Sequence, residues 1–111
     1  MKNPNQNPPH PGEALRKEFL EPLNISLSEL ARRLQVELIV IQELIAERTG
    51  LTVDLAYRLY LYFGTSARYW LNLQRDYELA NYPAKEILKK QIQPHPWEKQ
   101  EIWKPGANEL A

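Results

Sequence analysis

Cysteine is missing from this chain. That excludes disulfides and thiolate metal sites, and it gives no ground for an oxidising compartment. Only four glycines are present, and they form neither a phosphate-cradling loop nor a Gly-x-Ser-x-Gly elbow. No apolar run approaches the roughly 20 residues of a membrane span, and no signal-peptide pattern opens the chain. Net charge is also lacking: 14 Lys and Arg are balanced by 14 Asp and Glu. A neutral chain is a poor non-specific binder of nucleic acid, whose affinity comes from phosphate neutralisation, but a neutral chain can still group its basic residues on one face. Limited self-repulsion also permits close association with a second copy or another protein. The two histidines, His10 and His95, lie in proline-rich flanks away from zinc spacing, and they read as exposed residues without a partner. Carboxylate pairs such as Glu43 and Glu47 are what solvated helix faces supply routinely, and no pocket is written around them. The expectation is a soluble cytoplasmic protein that is not an enzyme, with no cofactor and no metal.

What the chain does contain is helical periodicity. At 111 residues it is one small domain, close to the size at which oligomerisation helps to complete a core. Residues 1–11 carry four prolines and three asparagines and read as a flexible N-terminal arm. A first helix is predicted over 12–23, with Leu15, Phe19 and Leu23 on one stripe and Pro22 closing it. Ser26 and Glu29 form a capping-box pair, so a second helix starts near Leu27. Gln35, Val36 and Glu37 make a short turn into a third helix over 38–46. Thr52 caps a fourth helix that ends at Gly64. Thr65 or Ser66 caps a fifth that runs to about Ala80, with Tyr69, Trp70, Leu73, Tyr77 and Ala80 as its stripe. Pro83 opens a sixth over 83–92, with Ile87, Leu88 and Ile92 as its apolar contacts. Trp70 and Phe63 are expected in the core, and Tyr82 at an interface. The fold class is all-α: a five-helix domain over 12–82, then a C-terminal helix and an extended Pro- and Trp-containing tail over 83–111.

The gap between the second and third helices is too short for an antiparallel hairpin. It suits a helix-turn-helix, in which the second member crosses the first and is offered to a DNA groove. On a wheel of 100° per residue, Leu38, Ile41, Leu44 and Ile45 face the core. Ile39, Gln42, Glu43 and Ala46 face outward, with Val40 at the flank. Gln42 suits adenine, Glu43 can accept from cytosine, and Ile39 or Val40 can touch a thymine methyl. Ser26, Ser28, Arg48, Thr49 and Thr52 sit where helix starts and a following loop meet phosphate oxygens. The expected DNA-binding set is therefore Ser26, Ser28, Leu38, Ile39, Val40, Gln42, Glu43, Arg48, Thr49 and Thr52.

Three segments carry a family resemblance: HPGEALRKEFLEPLNISLSELARRL at 10–34, GLTVDLAYRLYLYFGTSARYWLNLQ at 50–74, and the DYELA that follows. Together they resemble HigA-type antitoxins, also known as virulence-associated protein I, within the Cro/C1-like helix-turn-helix class. The resemblance implies a five-helix domain that binds operator DNA as a homodimer and represses its own operon. It also implies pairing with a HigB-type toxin, a RelE-like ribonuclease that cuts messenger RNA. Residues 38–46 then correspond to the recognition helix, and Arg48 and Thr49 to the loop after it. The chain departs from the family pattern at the turn, with Gln35 where glycine is usual. It departs again at the start of the recognition helix (Glu37, Leu38, Ile39 and Val40) and at its end, where Ala46 and Glu47 replace a common Asn-Gly pair. These apolar outward residues keep a second reading open, a protein-interaction module on a helix-turn-helix scaffold that has lost DNA reading.

Overall fold

A computed structural model describes residues 7–97 of the chain. Residues 1–6 of the expected arm and 98–111 of the expected tail, Trp103 included, lie outside the described residues. Among the described residues there are six helices and no strand. Helix α1 has three parts, Pro11–Leu15, Arg16–Leu20 and Glu21–Leu23. It is followed by α2 (Leu27–Leu34), α3 (Leu38–Ile45), α4 (Val53–Phe63), α5 (Ala67–Ala80) and α6 (Lys85–Gln91). Helix α1 packs on α3 and α5, α2 on α3 and α4, and α4 on α5. Leu15, Leu30, Ile41, Leu44, Leu59 and Trp70 are fully buried where these helices meet.

The first helix ends at Leu23, as its predicted bounds have it, but Pro22 lies inside its last turn. The proline has no N–H for the carbonyl of Glu18, and the chain answers with a π-helical stretch, Arg16–Leu20, before one more α-turn. Bonds closing from i to i+5 place residues five apart on one face. The buried pair is therefore Leu15 and Leu20, Phe19 is half-buried, and Leu23 is left exposed. The helix stops at Leu23, capped by Asn24 in the left-handed conformation (φ 56°), with the Ile25 amide donating to the Leu20 carbonyl at 2.9 Å.

His10 is a correction to the sequence reading: it is buried and it has partners. It precedes a proline at the first helical position and acts as the N-cap, with Nδ1 accepting from the Gly12 amide at 2.9 Å. Its ring meets the Tyr77 ring edge-on, with centroids 4.8 Å apart. An imidazole nitrogen here does the work of an Asn or Asp oxygen. Gly12, next to it, allows α1 to lie against α3, because a Cβ there would overlap the Leu44 carbonyl oxygen.

The aromatic residues divide. Trp70 is buried and donates from Nε1 to Thr65 Oγ1 at 2.9 Å, so Ser66 is the cap of α5 and Thr65 its support. Phe63 packs partly buried beside Phe19. Tyr69 donates to Glu18 at 3.3 Å, and burial together with that carboxylate pushes its phenol above the ordinary value, keeping it a neutral donor. Tyr57, Tyr60, Tyr62 and Tyr82 are exposed, as are Ile87 and Leu88 of α6 and Ile92 just after it, the expected apolar contacts of that helix. Among the described residues no helix is long and apolar enough to cross a membrane.

Candidate nucleic-acid interface

Helices α2 and α3 form the helix-turn-helix. Ser26 caps α2, its Oγ accepting from the Glu29 amide at 3.0 Å. Gln35 then takes the left-handed conformation (φ 60°), and the Val36 amide closes back on the Ala31 carbonyl at 3.0 Å. Glu37 is extended and caps α3 through its backbone only. Ile41 and Leu44 fix α3 into the core with no exposed surface. Leu38 differs from expectation: it lies at the margin of the buried arc, in the first turn, and 37% of it is exposed. Ile39 (51%) and Val40 (39%) are exposed beside it, and so is Gln42.

Five of the expected site residues come together. Ile39, Val40, Glu43, Thr49 and Thr52 line one open cleft of about 290 Å³ between α3 and the start of α4, with Gly50 and Leu55. Ser26, Ser28, Leu38, Gln42 and Arg48 do not line it. Ser28 and Thr52 are exposed in or just before the first turns of α2 and α4, and Thr52 Oγ1 accepts from the Leu55 amide at 3.1 Å. Arg48 was read as a phosphate ligand, but here it grips Glu43 in a fork, Nε to Oε1 at 3.0 Å and Nη2 to Oε2 at 2.8 Å. The hydrogen bonds from Arg48 hold the Glu43 carboxyl below its ordinary value, and Glu43 in turn raises the guanidinium. The pair is solvent-facing and presents no net charge.

Two residues that sequence reasoning missed position this surface. Gln74 of α5 is buried; its Oε1 accepts from the Leu51 amide at 2.7 Å and its Nε2 donates to Glu78 at 3.0 Å. It thereby clamps the loop that carries Arg48 and Thr49, and Gly50 gives it room, since a Cβ there would stand 2.9 Å from Nε2. Arg58 of α4 donates from Nη1 to the Leu34 carbonyl at 2.8 Å while Nε holds Asp54 at 2.7 Å. A cation at a helix C-terminus is favourable, and this one ties the end of α2 to α4. A glutamine among tyrosines and an arginine at helical spacing from an aspartate give no local sign of either role.

No protein-family model matches the chain. Over 70 residues it is 47% identical to virulence-associated protein I of Dichelobacter nodosus, a match that covers 63% of this chain and 65% of that protein, a little under two thirds of its length. Over 79 residues it is 33% identical to antitoxin HigA-1 of Vibrio cholerae, covering 71% of this chain and 74% of that one. The fold matches the Pseudomonas aeruginosa antitoxin HigA, solved with the higBA promoter. The TM-score is 0.76 and the identity 42%, over 78% of this chain and 97% of that one. The chain belongs to the HigA-type antitoxin family.

As a HigA-type protein it keeps the turn geometry of the helix-turn-helix without the usual glycine. Gln35 and Glu47 both hold positive φ, 60° and 62°, and after each the next amide bonds the carbonyl five residues back. The backbone motif that ends α2 and α3 is thus retained with side chains that disfavour it.

Proposed function

We propose that this HigA-type chain is the antitoxin of a type II toxin–antitoxin pair. In this role it binds its own operator as a homodimer and neutralises a HigB-type, RelE-like toxin. The role is binding rather than catalysis, and it belongs in the cytoplasm. The observation that carries it is the exposed outward face of α3 on a scaffold 42% identical to an antitoxin solved with its promoter. Phosphate-side residues support it: Ser26 and Ser28 at the start of α2, Thr49 in the loop, and Thr52 at the start of α4, where backbone amides favour anions. Gln42 is the base-contacting candidate, because its amide matches both adenine groups in the major groove. Leu38, Ile39 and Val40 would meet the groove at the first turn of α3, where docked recognition helices touch base edges. Glu43 and Arg48 would act there as a pair.

A mobility shift with the DNA upstream of its own gene tests the repressor half. A sequence-specific, salt-sensitive shift at micromolar dimer is expected, and its absence overturns that half. Co-expression with a HigB-type toxin tests the other half, through formation of a stable complex; where the neighbouring gene encodes a small basic protein, its product is the one to use. The exposed Leu38, Ile39 and Val40 favour a second reading, in which this face binds a protein. Ile39→Arg separates the two: added charge strengthens non-specific DNA binding, whereas in a protein interface it buries a charge and breaks the complex.

A further inference from the structure

We propose that α3 reads operator DNA through the C5-methyl groups of thymine, with Ile39 and Val40 as the specificity-determining residues. Given α3 as the groove helix, as proposed above, its first turn is the part that meets base edges, and there the two side chains stand 51% and 39% exposed. They form the apolar side of a cleft floored by Leu55 and edged by Thr49 and Thr52. In the major groove each base pair offers donors and acceptors, and the single apolar group among them is the thymine methyl.

Hydrogen-bond readout from this face is constrained by an ion pair. Glu43 has both carboxylate oxygens engaged by Arg48, and Arg48 has its fork engaged by Glu43. Gln42 is the one outward amide of α3, the single side chain there that suits a bidentate contact to adenine. An isoleucine pressed on a polar base edge would strip water from it without replacing the bond. Against a methyl the same side chain buries apolar surface on both partners. The neutral Glu43–Arg48 pair adds no charge that would override this preference, and the threonine hydroxyls at the rim suit the flanking phosphates.

The test uses duplexes spanning the region upstream of the gene, with each thymine replaced singly by deoxyuridine. That exchange removes the methyl and leaves the base pair intact. Titrations by fluorescence anisotropy should show affinity falling about fourfold at one or two positions in each half-site, the loss of one buried methyl. In Ile39→Ala or Val40→Ala the difference between thymine and deoxyuridine at those positions should disappear, while Gln42→Ala should retain it. No salt-sensitive binding to the unsubstituted duplex would overturn α3 as the groove helix. Specific binding that ignores every deoxyuridine would overturn the methyl readout alone. A methyl dependence undiminished in both Ile39→Ala and Val40→Ala would place the contact on other residues and overturn the assignment.

Discussion

The fork between Arg48 and Glu43 determines how much positive charge the loop after α3 can offer to a phosphate. With Nε and Nη2 committed to the Glu43 carboxylate, Arg48 meets DNA as half of a neutral pair. Glu43→Gln removes the anion and frees the cation. Affinity for non-specific duplex should then rise, and the salt slope should steepen by about 0.9, the counterion released by one more phosphate contact. Anisotropy titrations across a salt series check this; an unchanged slope would mean that Arg48 does not reach the backbone. The pair has its own pH signature. Because Arg48 holds the Glu43 carboxyl below the ordinary value, the pairing is complete above that ordinary value and is lost as pH falls through the lowered one. DNA binding near neutrality should therefore be insensitive to this group, and chemical-shift titration of the Glu43 carboxyl should place its midpoint under that of an exposed glutamate.

Between elements, single contacts set how α3 and its loop are held. Gly12 lets α1 approach the backbone of α3 at Leu44. Gly12→Ala should cost about 1–3 kcal/mol, because the obstacle is a carbonyl and cannot rotate away. Gln74→Leu should cost about 1–3 kcal/mol through the Leu51 amide left without its acceptor, and it should weaken DNA binding by freeing the loop. Gln35→Gly should act in the opposite direction. Relieving a left-handed glutamine is worth up to about 1–2 kcal/mol, offset in part by the greater freedom of glycine in the unfolded chain. Urea unfolding of the three variants checks the stabilities, and anisotropy titration of Gln74→Leu checks the binding; a destabilised Gln35→Gly would show that the side chain contributes more than its backbone strain costs.

For the whole molecule, the unfilled apolar surface is the main physical demand. Leu79, Tyr82, Ile87, Leu88 and Ile92 are 39–64% exposed along the end of α5 and α6, an apolar surface that a second copy would cover. A two-fold dimer formed through them, with α3 of each copy facing outward, would set the groove helices about 34 Å apart. Light scattering at micromolar concentration should give twice the chain mass. Leu88→Asp should return it to the monomer mass and weaken operator binding far more than non-specific binding. Leu61→Asp on the outer side of α4 should leave the mass unchanged. Halving of the mass by Leu61→Asp instead would move the interface to α4.

Local chemistry written in adjacent residues was legible without coordinates. The Ser26 and Thr52 caps, the turn at Gln35, the stop at Gly64, the apolar spacing of α2 to α5 and the buried Trp70 follow from short-range backbone and side-chain rules. The family could also be read from quoted segments. The tertiary structure decided what depends on partners distant in sequence. Gln74 meets Leu51 across 23 positions and Arg58 meets Leu34 across 24. Whether Gly12 is a requirement depends on where Leu44 lies. Phase within a helix is a further limit: one π turn before Pro22 exchanged Leu23 for Leu20 in the core, because a 3.6-residue wheel does not anticipate an i to i+5 closure. His10 became an N-cap only because Pro11 began a helix against Tyr77. Periodicity and caps are properties of the local chain, whereas burial, clamping and charge pairing belong to surfaces that exist only after the helices have packed.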